Sequence, residues 1–565
     1  MVPDPHREWI IILRYDSIRS RKAFLFFMII GQKFNNKDRN DRDVKKSNNS
    51  DEFSWSNYGF SRDLSRIIFS KTFRRLGGKT QVFPVEMNEH AMNRMTHTLV
   101  VNNIAMDIAT RINFLEKDFN INLDLIQAMA NGHDVGHTPF GHAGERKLDE
   151  ICSLKVKNDM VRFKHNFFSI DILQNLDRIN DFQRGYDLAW QTIDGILKHT
   201  ELPKLPLDYY KKTIKNKFLF SDIFSKNIKK IDAKATNYID YPYPLTIEGQ
   251  IVKAADEIAQ NYHDMLDWSR NISHDEFVSC IKSIQASDIR TINMKDRCQY
   301  VSKFLSMFFE DDGTLKESKI NDRYNRGYFA WGIKELMIND IVCAVKERIN
   351  DDSLVYFDVT DKTRFFVKNI LFVDDEGKIK INFCNEAVKI VSNNINDFGK
   401  SLINSESISQ YDLVGKENIQ KAFNLLSNDE KLFIYHCKGT VLTVFSECCK
   451  NQSITISVNG NSIIYQNYDD LKRNLDDFTS LIFKKTKGDI SWSDFSEAPI
   501  STDEILKYHV SKRTKLPIKK KIITHRQIEG LNNQVVVSCY CEDKPMAKIL
   551  QYDGISGKRY LDEFD

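Results

Sequence analysis

The sequence has no hydrophobic run long enough to cross a membrane as a helix, which takes about 20 apolar residues. The apolar stretch at residues 23–30 follows basic residues 19–22, as in a signal peptide. It is too short for a span, and no small-residue cleavage site follows it. We therefore expect no membrane association, and we interpret residues 1–31 as a short internal helix or an extension ahead of a start at Met28.

The CxxC pairs typical of structural zinc sites are also missing. The ten cysteines are scattered along the chain, with no pair of CxxC motifs among them. This absence argues against a thiolate zinc site. It predicts reduced thiols in a cytoplasmic protein.

The chain has almost no net charge, since 81 basic and 78 acidic residues leave +3. Charge therefore gives no overall attraction to nucleic acid. A length of 565 residues, 41% of them hydrophobic, predicts a soluble globular protein of two or three domains. We predict an N-terminal extension with a polar linker at 1–52, a helical core at 53–350 and a mixed α/β region at 351–565. A lysine-rich patch within 204–243 favours a solvated face, with phosphate or nucleic-acid contact as the alternative.

What the chain does have is a concentration of histidine and carboxylate at residues 94–145. Helical spacing of apolar residues predicts one helix at the start of this stretch and a second that ends in its middle. Imidazole and carboxylate ligands together suit Mn²⁺, Fe²⁺ or Mg²⁺. The alternative, separate hydrogen-bonded histidines, does not explain why so many costly buried charges are collected together. The predicted metal ligands are His97, His133, Asp134 and, on a later helix, Asp256.

Three motifs carry a resemblance to a known family. They are FRRLGGKTQVF at residues 73–83, HDVGHTPFGHAGE at 133–145 and IEGQIVKAAD at 247–256. The order of His97, His133-Asp134 and Asp256 resembles the HD metal-dependent phosphohydrolases. The three motifs resemble, within them, the deoxyguanosine triphosphate triphosphohydrolases.

The resemblance covers residues 53–270 and continues weakly to about residue 345. It implies a mainly α-helical HD core that binds a divalent metal ion, Mn²⁺, Mg²⁺ or Fe²⁺. It also implies hydrolysis of deoxynucleoside triphosphates, with dGTP favoured, to deoxynucleoside and inorganic triphosphate. A hexamer or tetramer is expected from the same source, with a nucleotide or single-stranded DNA as a possible effector.

A second group of residues is suited to acid–base work. The triphosphate group is strongly anionic, so protonated imidazole can stabilise or protonate it while a carboxylate orients the ring. By resemblance, the catalytic residues are His137, His142, Glu145 and His165. Phe167-Phe168 stand where the family has Glu-Gln after the histidine that corresponds to His165.

Substrate contacts are also carried over from the family. Arg94 is expected to reach the α-phosphate and Asp264 the 3′-hydroxyl of the sugar. Gln260 stands where the family has a tyrosine that packs on deoxyribose. The cationic residues near these motifs suit phosphate, with ordinary surface charge as the alternative. They are Arg74, Arg75, Lys79, Arg323 and Arg326.

The last third of the chain changes from helical to alternating periodicity in places. Residues 364–373 with 378–383, and residues 454–458 with 462–465 around Asn459-Gly460, have the pattern of β-hairpins. Residues 535–540 with 546–551 indicate a third hairpin. This region suggests no chemistry by itself. Two alternatives to triphosphate hydrolysis stay open, namely a phosphodiesterase or 5′-nucleotidase, and a protein that senses nucleotides or single-stranded DNA through a retained pocket.

Overall fold

A computed structural model describes most of the chain between residues 59 and 486, together with three C-terminal strands. It is mainly helical with small antiparallel sheets in the C-terminal part, which confirms the predicted fold class. Residues 1–31 and the polar segment 33–51 lie outside the described residues, so the interpretations placed on them stay predictions. No described helix is both long enough and apolar enough to span a membrane. The described residues are 59–79, 92–115, 120–155, 162–177, 185–271, 299–310, 314–320, 323–356, 365–375, 378–403, 406–445, 454–458, 461–486, 534–541, 544–552 and 559–563.

The first seven helices of the described residues include the histidine-rich stretch at residues 94–145. The predicted helix boundaries are confirmed, because one helix begins just before His97 and another ends just before His133. The side chain of Asn93 accepts a hydrogen bond from the backbone N–H of Thr96 and so caps the first of these helices. The seven helices are α1 Ser61–Ile68, α2 Lys71–Arg74, α3 Arg94–Leu115, α4 Leu123–Gly132, α5 Gly141–Lys155, α6 His165–Asp171 and α7 Trp190–Lys198.

The next helices complete the core. Buried apolar residues of α3 and α4 pack against those of two long later helices, which contribute Ile251, Ile258, Ile333 and Met337. The middle of each long helix is therefore held by apolar contact on several sides. These helices are α8 Leu207–Thr213, α9 Asp222–Ile231, α10 Ile247–Asn271, α11 Gln299–Phe308, α12 Glu317–Ile320 and α13 Arg323–Arg348.

In its described residues, the C-terminal part combines five helices with four small sheets, all antiparallel. The hairpins predicted at 454–465 and 535–551 are confirmed, and the second gains a third strand. The helices are α14 Glu386–Ile403, α15 Glu406–Asn428, α16 Glu430–Phe445, α17 Tyr468–Arg473 and α18 Leu475–Thr486. The strands are β1 Leu354–Tyr356, β2 Phe365–Val367, β3 Phe372–Asp375, β4 Lys378–Ile381, β5 Ile454–Val458, β6 Asn461–Tyr465, β7 Gln534–Cys541, β8 Lys544–Tyr552 and β9 Arg559–Glu563.

The hairpin predicted at 364–383 is wrong in one respect, because its first strand is divided between two sheets. β2 pairs with β1, and β3 pairs with β4. The side chain of Gln250 on α10 donates to the backbone carbonyls of Val367 and Lys368 and accepts from the backbone N–H of Ile370. The alternating pattern is continuous in the sequence, but the helix takes the backbone hydrogen bonds that a continuous strand would need.

The C-terminal helices pack directly on the motif that carries the predicted catalytic histidines. Leu148 and Ile151 of α5 share a buried apolar cluster with Ile419 and Phe423 of α15. At the edge of this contact, Arg146 of α5 forms an ion pair of 3.3 Å with Asp412 of α15.

A close approach lies at the N-terminal end of this contact. Phe140 has a φ of 62°, a left-handed conformation that is uncommon outside glycine. Its ring lies 5.9 Å from the ring of Tyr411, measured between centroids. A Cβ added to Gly415 would lie 2.8 Å from both Cβ and Cγ of Phe140. Glycine at position 415 is therefore what allows α15 to lie against this loop.

We expect Gly415→Ala to lower the free energy of unfolding by about 1–3 kcal/mol, because the methyl group overpacks the contact with Phe140. The matched control is Gly439→Ala in α16, where an added Cβ meets no heavy atom within 4 Å. Both changes raise helix propensity alike, by about 1 kcal/mol. Thermal and denaturant unfolding of the two variants measure the difference, and equal stabilities would contradict the packing argument.

Candidate active site

Two of the predicted metal ligands stand at the junction between α4 and the following turn. Gly132 ends α4 where an added Cβ would lie 2.4 Å from the side chain of Ile196. The next two residues, His133 and Asp134, are both buried. Close packing at Gly132 thus fixes the point at which the chain leaves the helix and presents these two side chains.

The turn is held against α6 by a second glycine. A Cβ at Gly136 would lie 2.5 Å from the backbone oxygen of His165, so only glycine permits this approach. The hydroxyl of Ser169 accepts a hydrogen bond from the backbone N–H of Gly136 and donates one to the backbone oxygen of His133. His165 is therefore carried to the same place as His133 and Asp134.

The four predicted metal ligands come together from two helices, α3 and α10, and the turn after α4. His97 Nε2 lies 2.9 Å from Asp256 Oδ1, and His133 Nε2 lies 3.6 Å from the same oxygen and 3.7 Å from Asp134 Oδ2. His133 Nδ1 donates to the backbone oxygen of Ala130 at 2.7 Å, which leaves Nε2 as the free ring nitrogen. That Nε2 is buried with no hydrogen-bond partner.

This donor set fits a divalent metal ion. Two donors bound about 2.1 Å from one ion lie roughly 3 to 4 Å apart, as the nitrogen and oxygen atoms here do. The backbone hydrogen bond at His133 Nδ1 is the outer contact that usually orients a metal-binding imidazole. Two imidazoles and two carboxylates suit Mn²⁺ or Fe²⁺ and also accept Mg²⁺.

The charges around Asp134 stabilise its ionised form. Burial alone would raise the pKa of this carboxyl, but Arg94 and three histidines hold it well below the ordinary value. Arg94 Nη1 donates to Asp134 Oδ2 at 2.6 Å, and both side chains are buried. The structure therefore pairs Arg94 with the carboxylate of Asp134, a predicted metal ligand. The predicted contact of Arg94 with the α-phosphate is a separate contact and stays a prediction.

The predicted catalytic residues form a second cluster beside the first. Glu145 Oε1 accepts from Nδ1 and from the backbone N–H of His165, at 2.9 and 3.0 Å, and Oε2 lies 3.1 Å from His142 Nδ1. The ring of His137 stacks on that of His165 with centroids 4.4 Å apart. Burial opposes the charge of Glu145, yet the neighbouring histidines lower its pKa. The side chain of His142 is 54% exposed, so this cluster opens to solvent through it.

The structure adds two histidines that the sequence did not indicate. His199 Nε2 lies 3.2 Å from His165 Nε2, and His263 Nδ1 lies 3.2 Å from His97 Nδ1. Burial lowers the pKa of both to about 3. His199 follows the end of α7 and His263 lies within α10, so neither has a motif of its own in the sequence.

The predicted substrate residues are more widely spread. Gln260 is exposed on α10, one turn after Asp256, and Asp264 is buried a further turn along. Arg75 is exposed, and Arg326 donates to the backbone oxygen of Ile320.

Two further cations near the motifs differ in burial. Arg74 is exposed and donates to the backbone oxygen of Phe69. Lys79 is buried, donates to the backbone oxygen of Val135, and has its pKa lowered to about 7 chiefly by burial. The side chain of Arg323 lies outside the described part.

Comparison with known proteins finds one matching family model and a set of similar proteins. The family model of the HD domain matches residues 94–261. A deoxyguanosinetriphosphate triphosphohydrolase-like protein of Rickettsia bellii (strain RML369-C) is 36% identical over 208 residues, which are 37% of this chain and 46% of that protein. Proteins of the same name from Rickettsia rickettsii (strain Iowa) and Bartonella tribocorum (strain CIP 105476 / IBS 506) are 29% and 32% identical, over 55% and 47% of this chain and 70% and 64% of their own lengths.

The match with the Rickettsia bellii protein thus spans about half the length of that relative. The resemblance drawn from the motifs is confirmed, and the likenesses support a phosphohydrolase.

We expect Asp264→Asn to stabilise the protein more at high pH than at low pH. Burial, with Asp267 nearby, raises the pKa of Asp264 to about 8. The folded state therefore binds a proton that the unfolded carboxyl releases near pH 4, so stability falls as the pH rises from about 4 to 8. Removing the carboxyl should increase the free energy of unfolding by about 2–3 kcal/mol more at pH 8.5 than at pH 5.5. Denaturant unfolding at the two pH values measures this, and an equal gain at both would contradict it.

Proposed function

We propose, from the match of residues 94–261 to the family model of the HD domain, that the protein hydrolyses deoxynucleoside triphosphates, dGTP above all, to deoxynucleoside and inorganic triphosphate. The observation that carries the proposal is the junction of the two clusters. His165 Nε2, in the histidine–glutamate cluster, lies 3.8 Å from Oδ1 of Asp134, in the metal-type cluster. A phosphate held at one cluster is thereby next to the proton donors of the other. The printed names of the relatives point to the same substrate class.

His97, His133, Asp134 and Asp256 would hold the divalent ion. Such an ion supplies positive charge to phosphate oxygens and lowers the pKa of a water molecule beside it. Asp256 is 26% exposed while the other three side chains are nearly inaccessible, so the site opens on the Asp256 side. Substrate would therefore approach from the face of α10 that also carries Gln260.

The chain's own residues account for the departure of the nucleoside oxygen. The carboxylate of Glu145 holds Nδ1 of both His142 and His165, which directs the opposite nitrogen of each ring away from it. The exposed His142 can deliver a proton through Nε2 to the 5′-oxygen as that oxygen leaves. Arg94 keeps Asp134 ionised before substrate arrives, because it neutralises this buried carboxylate from a distance of 2.6 Å.

The localisation, oligomeric state and effector of the protein are also proposals that rest on the resemblance. We propose that the protein is cytoplasmic and assembles as a hexamer or tetramer, since closed symmetric oligomers are usual for such enzymes. A nucleotide or single-stranded DNA effector belongs to the same proposal. The ten cysteines fit a reducing compartment, and the described cysteines at positions 152, 343, 384 and 437 form no disulfide.

We expect inorganic triphosphate to be the first phosphorus-containing product from dGTP. Phosphorus NMR of the reaction distinguishes it from pyrophosphate and orthophosphate, which would indicate attack at another bond. The same assay separates this function from a phosphodiesterase or 5′-nucleotidase, which would leave the triphosphate unreleased. A protein that only senses nucleotides would release no product.

Paired variants of α5 assign that reaction to this site. Glu145→Gln keeps the shape of the side chain but removes the charge that orients two histidines, so kcat should fall by about 10²–10⁴. Glu150→Gln is the matched control, because Glu150 lies on the same helix and pairs at the surface with Lys147. Equal rates in the two variants would show that the reaction does not use this cluster.

We expect Gln260→Tyr to increase the preference for dGTP over GTP. Glutamine is flexible and leaves room for a 2′-hydroxyl, and a hydrogen bond to that hydroxyl is worth about 0.5–1.5 kcal/mol. A tyrosine ring beside the sugar would exclude the hydroxyl by clash and raise the preference about tenfold or more.

The measurement is the ratio of kcat/KM for dGTP to that for GTP. Gln420→Tyr in α15 controls for the introduction of a ring. A wild-type ratio already above about a thousandfold, which equals some 4 kcal/mol, and unchanged in Gln260→Tyr would remove this residue from sugar selection.

A further inference from the structure

A buried histidine of α10 contacts one of the predicted metal ligands. His263 Nδ1 lies 3.2 Å from Nδ1 of His97, and both side chains are almost fully buried. The function proposed above gives His263 no role. We propose that His263 is a positioning residue, which holds the ring of His97 and exchanges hydrogen-bond roles with it when His97 Nε2 binds a divalent metal ion. The proposal rests on the proposed function only in taking His97 as a metal ligand.

The ring of His97 is held by α10 at both of its nitrogens. Asp256 Oδ1 lies 2.9 Å from Nε2, and His263 Nδ1 lies 3.2 Å from Nδ1. Asp256 and His263 are seven residues apart, which places them about two turns apart on one face of the helix. Val101 of α3 and Ala259 of α10 belong to the same buried apolar cluster, so the two helices are packed together at this level. Rotation of the His97 ring would break both contacts.

The two facing Nδ1 atoms restrict where the hydrogens of the pair can lie. A hydrogen bond needs a hydrogen on one of these atoms and a lone pair on the other. Two neutral rings have one hydrogen each, so only two arrangements satisfy the contact. In one, His263 donates from Nδ1 and the hydrogen of His97 is on Nε2. In the other, His97 donates from Nδ1 and the hydrogen of His263 is on Nε2.

Each arrangement suits a different partner of His97 Nε2. With its hydrogen on Nε2, His97 donates to the carboxylate of Asp256, which can only accept. A metal ion needs the lone pair of Nε2, so the hydrogen must then be on Nδ1. His263 offers a donor in the first case and an acceptor in the second. Each ring keeps one hydrogen in both arrangements, so the pair neither gains nor loses a proton overall.

The other imidazole ligand, His133, has a partner of a different kind. Its Nδ1 donates to the backbone oxygen of Ala130 at 2.7 Å, and a carbonyl oxygen can only accept. The lone pair of His133 Nε2 therefore always faces the metal position. His97 needs a partner that can both donate and accept, because its Nε2 also contacts Asp256. An imidazole is such a partner, and a carbonyl is not.

The second nitrogen of His263 allows its hydrogen to take either position. This Nε2 is buried and has no hydrogen-bond partner among the described residues. A carboxylate or carbonyl beside it would hold the hydrogen on Nε2 and permit only one of the two arrangements. Loss of the outer partner of a metal-binding histidine typically costs about 10–100-fold in metal affinity. We expect His263 to contribute to metal affinity through His97 to the same extent.

Two substitutions of the same shape test this role in the full-length protein without any nucleotide. His263→Asn keeps an amide at the place of Nδ1, and an amide can donate or accept. His263→Leu puts a methyl group there. Each protein is stripped with a chelator and titrated with Mn²⁺, and the free ion is measured by electron paramagnetic resonance. We expect Kd to rise about 10–100-fold in His263→Leu. In His263→Asn it should stay close to the wild-type value.

Further measurements separate positioning from general damage to the fold. His97→Asn removes the ligand itself and defines the loss of the site. His436→Leu changes a buried histidine of α16 and should bind Mn²⁺ as the wild type does. Thermal unfolding in chelator shows whether each variant is folded. Nitrogen-15 NMR of histidine-labelled wild type does not depend on the variants, and addition of diamagnetic Mg²⁺ should move the hydrogen of His263 from Nδ1 to Nε2.

The proposal is overturned if the wild type binds no Mn²⁺, if His263→Leu binds it as tightly as the wild type, or if His263→Asn binds it as weakly as His263→Leu. A hydrogen that stays on the same nitrogen of His263 when Mg²⁺ binds would also overturn it. Failure of the proposed function has a different signature. If dGTP releases no triphosphate but His263→Leu weakens Mn²⁺ binding and His263→Asn restores it, the positioning role stands and the substrate assignment falls. If triphosphate is released while Mn²⁺ binds equally to all three proteins, the reverse holds.

Discussion

The buried negative charge of Asp134 is the constraint on which the rest of the site depends. A carboxylate at this depth costs several kcal/mol unless cations or hydrogen-bond donors surround it. Arg94 supplies one full charge at 2.6 Å, and His133 and His165 face its two oxygens. Each partner comes from a different element, so the carboxylate can stay ionised only when α3, α4 and α6 are correctly packed. Folding and formation of the site are in this sense the same event.

Much of this could be predicted because the chemistry lies in local patterns. His133 and Asp134 are adjacent and directly follow an amphipathic helix, and glycines come next at the spacing that a tight turn needs. One short stretch of sequence therefore predicts both the end of the helix and the ligand pair. The prediction of His97 and Asp256 as ligands rested on helical periodicity and on the resemblance to the HD family. The mainly helical class followed from the same periodicity.

What could not be predicted depends on contacts between distant elements. His199 stands after an ordinary helix, and only the approach of α6 to α7 brings its Nε2 to 3.2 Å from His165. Arg94 also donates to the buried carboxylate of Asp134, and this contact depends on how α3 packs against the turn after α4. The division of the predicted strand at residues 364–373 has the same origin, because the side chain that competes for its backbone, Gln250, is more than a hundred residues away.

The sequence of the C-terminal region contains no catalytic or ligand motif. This region affects the candidate site by packing against the loop at Phe140. The turn that carries His137 and His142 passes through Phe140 in a left-handed conformation, and such a conformation persists only where surrounding structure holds it. Tyr411 and Gly415 of α15 provide that support from the opposite side of the loop. Since His142 and Glu145 begin the helix that follows Phe140, a shift of α15 would change the direction of the exposed imidazole without touching any metal ligand. The C-terminal helix α15 thus sets the position of one side of the candidate active site, while the buried charges around Asp134 set the other.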